Sequence, residues 1–157
     1  MFNRRNLDAY RKNSVRAELS VADPYTITKM LFQGAFERLM QAKGAIEHGD
    51  LELKGRKLAS ASAIIESFRN TLDFSVNSEL AQRLFDLYTY VIDRLADAAI
   101  EVSQKPIDDA LKVLVPLKTA WDNIPLSEQQ KAAAQRSQRQ SNAQAVTNSG
   151  YIASGSV

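Results

Sequence analysis

The chain has 157 residues, of which 45% are hydrophobic, with no cysteine and a net charge of +2. A chain of this length buries a core without disulfides or metal, and the lack of cysteine excludes disulfides, thiolate catalysis and cysteine-ligated zinc or iron–sulfur clusters. No segment reaches the roughly 18 continuous apolar residues of a membrane span, and the opening MFNRRNLDAY lacks the apolar core of a signal peptide. The expectation is a soluble protein of the cytosol.

The charge is unevenly spread. Residues 1–17 carry five basic groups against Asp8, residues 18–127 are net −4, and residues 128–157 are net +2. A basic arm on an acidic body is one footprint of a nucleic-acid binder, but no basic stripe supports it elsewhere, so no nucleic-acid partner is expected.

Residues 1–22 form a weakly patterned arm whose large apolar anchors are Leu7 and Tyr10, three apart and so on one face of a helical turn. By spacing alone this is a frayed terminus whose Tyr10 packs, with a short cover over an apolar groove as the alternative. Asp23-Pro24 then opens a first helix over about 23–48, the aspartate as cap and the proline at a position whose N–H would go unpaired. Ile27, Leu31, Ala35, Leu39, Ala42 and Ile46 recur every three or four residues, and Phe32, Phe36 and Met40 make a second line. Gly34 costs about 1 kcal/mol against alanine inside a helix, which suggests a close backbone neighbour. Gly49 ends the helix and Asp50 caps the next, a turn short enough to make antiparallel neighbours.

The second helix, about 51–73, repeats Leu58, Ala61, Ile65, Phe68 and Leu72, with Ile64 widening the stripe. This is the spacing of helices packed nearly along one another. Lys54, Arg56 and Lys57 near its start read as a solvated face. After a loop at Phe74–Val76, Asn77 caps a third helix over about 77–102, with Glu79 placed well against the dipole. At roughly 100° per residue, its Leu80, Ala81, Leu84, Phe85, Leu87, Tyr88, Val91, Ile92, Leu95 and Ala96 fill an arc of about 180°. One core needs only about 100°, so the helix is either central or has a second surface to cover.

The fourth helix, about 106–124, has Asp108 and Asp109 in its first turn and lines one side with Ile107, Leu111, Leu114, Leu117, Trp121 and Ile124. Pro116 implies either a bend or two shorter pieces. From residue 128 the chain is polar and rich in Ala, Gln and Ser. Residues 128–140 can extend a helix in the right company, and disorder is expected beyond them.

The predicted fold is therefore an all-α, antiparallel up-and-down four-helix bundle with a short N-terminal arm (1–22), a body (23–127) and a disordered C-terminal tail (128–157). Catalysis is not expected. The single histidine, His48, sits in a turn without the Glu-x-x-His pattern of a di-metal bundle, and no phosphate loop or nucleophile elbow is present. No metal and no cofactor are expected. The surplus apolar surface then serves either a client or a second copy of the chain, in a self-associating regulatory or scaffold module.

The run ADPYTITKMLFQGAFERLMQAKGAIEHGD resembles the first long helix of the flagellin export chaperones, the FliS family. The likeness continues through Ala61-Ser62-Ala63-Ile64-Ile65 and ELAQRLFDLYTYVIDRL, and closes at Ala120-Trp121, covering about Leu7 to Ile124. Phe32, Val91 and Asn77-Ser78 depart from the common pattern, where tyrosine, methionine and Gly-Gly are usual. The resemblance implies a cytoplasmic chaperone that holds the disordered C-terminal segment of flagellin as helices in apolar grooves, unpolymerised, for type III flagellar export. Export-gate components or a co-chaperone are possible further partners, and the chain would be a monomer or a homodimer. It also implies that Leu7 and Tyr10 cap an empty groove. The client groove would be lined by Ile64, Phe68, Leu72, Leu87, Tyr88 and Val91. Inward-facing and groove-facing positions share one arc, so the sequence leaves core packing open for all six.

Overall fold

The computed structural model describes residues 24–152, and Leu7, Tyr10 and the cap expected at Asp23 lie outside them. The described residues form five helices and no strand: α1 Pro24–Glu47, α2 Leu51–Asn70, α3 Ser78–Ile100, α4 Lys105–Asp122 and α5 Leu126–Ile152. The first four pack in sequence, and α4 closes back on α1, giving the expected antiparallel bundle. Asn123 onward forms a separate compact unit.

The helix boundaries follow local chemistry. Gly49 takes φ +70°, the Asp50 N–H reaches the Ala45 carbonyl at 2.9 Å and the Gly49 N–H reaches Ile46 at 3.2 Å. That is a Schellman closure, which satisfies carbonyls that the end of α1 leaves free. Asp50 then caps α2, its Oδ1 accepting from the Leu53 N–H at 3.0 Å. Asn77 does the same for α3 through the Leu80 N–H at 3.0 Å. At the far end of α2, the Thr71 hydroxyl donates to the Ser67 carbonyl at 2.9 Å, and the helix ends just before it.

The core is built from one stripe per helix: Phe32, Ala35, Leu39 and Ala42; Leu58, Ala61, Ile65 and Phe68; Tyr88, Val91, Leu95 and Ala98; Ile107, Ala110 and Leu114. Each seam also carries a polar tie. Arg38 Nε donates to Ser60 Oγ at 2.6 Å between α1 and α2. Arg69 donates to Thr89 Oγ1 at 3.3 Å and lies over the Phe85 ring at 5.5 Å between α2 and α3. Arg94 pairs with Asp109 at 3.0 Å between α3 and α4. Lys43 pairs with Asp108 at 2.6 Å between α1 and α4.

Three local expectations change. Lys54 is not on a solvated face: it is 3% exposed, and its Nζ donates to the Ala99 and Glu101 carbonyls at 3.3 and 3.0 Å. It supplies a cation and donors where α3 ends with unpaired carbonyls and the negative end of its dipole. At Gly34 the close neighbour is no backbone: an added Cβ would meet Arg38 Nη1 at 2.8 Å and Ile64 Cδ1 at 3.8 Å. Finally, α5 carries the helix to Ile152, past the point where disorder was expected. It has no buried residue in its described part, and its Ala, Gln, Arg and Lys content has strong intrinsic helix propensity. Low hydrophobicity predicts that a segment will not pack, which is a separate matter from whether it coils. Pro116 lies exposed within α4, which runs through it as a single element.

Candidate docking surface

Between α1 and α2 runs an open groove of about 510 Å³, lined by Met30, Leu31, Gly34 and Arg38 on one side and Ser60, Ala63, Ile64 and Ser67 on the other. Small residues make it. Gly34, Ser60, Ala63 and Ser67 keep side-chain volume out, so that partly buried Leu31 and Ile64 remain reachable from solvent while packing on the core.

A second apolar surface lies on α3. Its buried residues are Ala81, Tyr88, Val91, Leu95 and Ala98. The rest of the wide arc is only partly covered: Leu80 is 53% exposed and Leu87 38%, with Leu84 half-buried between them. Leu80, Leu84 and Leu87 recur at four and three residues, so they share one face. On α4, Val113 and Leu117 are half-buried against the core and Val115 is exposed.

The six residues expected to line a client groove therefore separate. Ile64 lines the α1–α2 groove, and Leu72 is half-buried just beyond the end of α2. Leu87 stands on the exposed part of the α3 arc and does not line the α1–α2 groove. Phe68, Tyr88 and Val91 are in the core. Phe68 bridges the Phe32 ring at 4.6 Å and the Tyr88 ring at 5.9 Å, and burial pushes the Tyr88 hydroxyl above the usual tyrosine range. Periodicity missed Met30, Leu31, Arg38, Ser60, Ala63 and Ser67 as groove residues. The readable signal was a helical glycine with an arginine four residues on, facing small residues at helical spacing.

Among the described residues no cluster of three His, Cys, Asp or Glu side chains stands ready for a metal, and no helix is long and apolar enough to cross a membrane. His48 is exposed at the end of α1, its Nδ1 2.8 Å from the Gly44 carbonyl. What the bundle offers is apolar surface beside a few fixed polar groups, an arrangement suited to holding a chain segment.

The family model for the flagellar protein FliS matches residues 6–130. The flagellar secretion chaperone FliS of Vibrio cholerae is 37% identical over 122 residues, which cover 78% of this chain and 90% of its own. The flagellar secretion chaperone FliSB of Pseudomonas aeruginosa is 35% identical over 124 residues, covering 79% and 98%. The FliS of Salmonella typhimurium is 32% identical over 125 residues, covering 79% and 93%. The model match spans most of the chain and these relatives are more than 30% identical over most of their length: the chain belongs to the FliS family of flagellar secretion chaperones.

Proposed function

We propose that this chain is a cytoplasmic export chaperone that binds the C-terminal segment of flagellin in apolar grooves on the bundle. Held there, the segment cannot polymerise early and is kept for type III flagellar export. The observation that carries this reading is the surplus on α3: Leu80 and Leu87 keep 53% and 38% of their surface in water on a helix whose core stripe is already complete. Family membership supplies the flagellar setting.

The recognition is of the helix-in-groove kind. A client segment that is disordered alone must offset its ordering entropy on binding. Apolar burial at about 25 cal/mol per Å² supplies the gain, part of which is lost to ordering. Ile64, Leu72 and Leu87 offer surface directly, while Phe68, Tyr88 and Val91 are buried in the core that supports them. Leu7 and Tyr10 of the arm would cover a groove until the client displaces them.

A flagellin C-terminal peptide titrated calorimetrically into the intact chain, and into a chain lacking residues 1–17, tests the reading. Tight one-to-one binding with a strongly negative heat-capacity change is expected, tighter without the arm. Absence of heat and of any mass shift on size-exclusion would overturn it in favour of self-association.

A further inference from the structure

The lining of the α1–α2 groove carries one charged group, among apolar side chains and the hydroxyls of Ser60 and Ser67. There the Arg38 guanidinium is fixed by two bonds, Nε to Ser60 Oγ at 2.6 Å and Nη1 to the Gly34 carbonyl at 2.9 Å. A guanidinium has five N–H donors, so three remain for something else. Lys43 pairs with Asp108, and Arg94 with Asp97 and Asp109, whereas no described carboxylate lies within ion-pair distance of Arg38. No acidic residue lines the groove either.

Gly34 makes the placement possible. A Cβ there would sit 2.8 Å from Arg38 Nη1, so any larger residue would push the guanidinium off its seat. Glycine is unfavourable in a helix interior, and here it leaves the space in which a cation lies across the groove.

We propose that Arg38 is a carboxylate anchor, and that this groove takes a client helix bearing an Asp or Glu side chain beside its apolar residues. The inference rests on the client-binding reading above. The guanidinium folds back to Gly34, one turn from Met30 and Leu31, so the client's carboxylate lies three or four residues from the apolar side chains seated there. Inside an apolar groove a fixed, bidentate donor is stronger than at an open surface. It also sets register, which apolar contact alone fixes poorly.

A double-mutant cycle on the full chain tests this. The flagellin C-terminal peptide is titrated against the parent and Arg38→Gln, then repeated with each peptide Asp or Glu changed to Asn or Gln, and with the peptide's C-terminus amidated. Arg38→Gln should weaken binding about tenfold. One peptide substitution should weaken it equally, and the two together no more than either alone. Should Arg38→Gln fold poorly, Arg38→Lys, which keeps the charge without the fork, carries the cycle. Additive losses at every peptide carboxylate, with parent binding intact, overturn the anchor and leave the client reading standing. Coupling only to the amidated terminus overturns the side-chain assignment. Failure of the parent itself to bind overturns both.

Discussion

Tyr25 and Trp121 hold each other from both sides. The Tyr25 hydroxyl donates to the Trp121 carbonyl at 2.7 Å, Trp121 Nε1 donates to the Tyr25 carbonyl at 3.3 Å, and the rings stack at 5.4 Å with a 16° tilt. Residue 25 opens α1 and residue 121 ends α4, so this pair closes the ring of four helices at one end of the bundle. The Trp121 carbonyl stands in the last turn of its helix, where it has no internal partner, and the Tyr25 hydroxyl and the Trp121 indole are half-buried aromatic donors that each find an acceptor. Tyr25→Phe should cost about 1 kcal/mol. Because Trp121 is the only tryptophan, its emission reports the pair directly. Tyr25→Phe should change the native emission, and denaturation followed by circular dichroism should show a lower midpoint, with Trp121→Phe costing less in that background than in the parent. Independent, additive losses would mean that the two bonds are incidental.

Lys54 makes the corresponding tie at the opposite end, where α2 begins and α3 stops. The residue is 3% exposed, and among the described residues its ammonium donates to the Ala99 and Glu101 carbonyls. Removing it strands those acceptors in a covered site, which costs more than the bond itself contributes. Lys54→Met keeps the apolar stem and should lower stability by roughly 2 kcal/mol. Amide exchange would locate the damage: protection should fall first in the last turn of α3. Loss spread evenly over the bundle would show that Lys54 acts as general packing.

How much of this was legible beforehand depended on where the partner lay. Asp50, Gly49 and Asn77 act on backbone groups within a few residues, and their sequence signatures gave both turns correctly. Leu58, Ala61, Ile65 and Phe68 are all buried as their spacing required. Lys54 was illegible because its partners are carbonyls 45 and 47 residues away, which no side-chain pattern marks. The groove was illegible for a different reason. Ile64 and Ile65, or Leu87 and Tyr88, sit side by side in one apolar arc, and only the packing of neighbouring helices decides which member faces water. Gly34 was read as a site of close approach, correctly as to crowding, although the neighbour is a guanidinium.

Asp109 gives the bundle a defined response to acid. Desolvation pushes its carboxyl up, but a hydrogen bond from Lys105 and the charges of Lys105, Arg94 and Lys112 outweigh this and hold it below the usual carboxylate range. A carboxylate depressed in the fold stabilises above its unfolded value of about 3.9 and loses that contribution as pH falls through the folded value. Asp109→Asn should therefore melt at a lower temperature than the parent at neutral pH. The difference should shrink as the medium is acidified from about pH 5 to about pH 2. Thermal melts across that range check it, and a constant offset would remove Asp109 from the acid response.

Leu87 and Val91 lie one turn apart on α3 and should answer the same substitution in opposite ways. Val91 has no exposed surface, so Val91→Asp must place a carboxylate in the core or neutralise it there, at a cost of several kcal/mol. Leu87, 38% exposed, can turn a carboxylate into water, and Leu87→Asp should keep native helicity with melting within a few degrees of the parent. Ile64→Asp should behave like Leu87→Asp, since Ile64 faces the open α1–α2 groove. Peptide titration then separates fold from function. If the α3 arc and the α1–α2 groove both hold flagellin, Leu87→Asp and Ile64→Asp should each weaken the flagellin C-terminal peptide by at least tenfold: at Leu87 a charge faces apolar client surface without a partner, and at Ile64 the new carboxylate stands beside the Arg38 guanidinium and competes for it. Circular dichroism, melting and calorimetry on the three variants suffice. Full peptide affinity in a folded Leu87→Asp would remove the α3 surface from the client site and confine binding to the groove between α1 and α2.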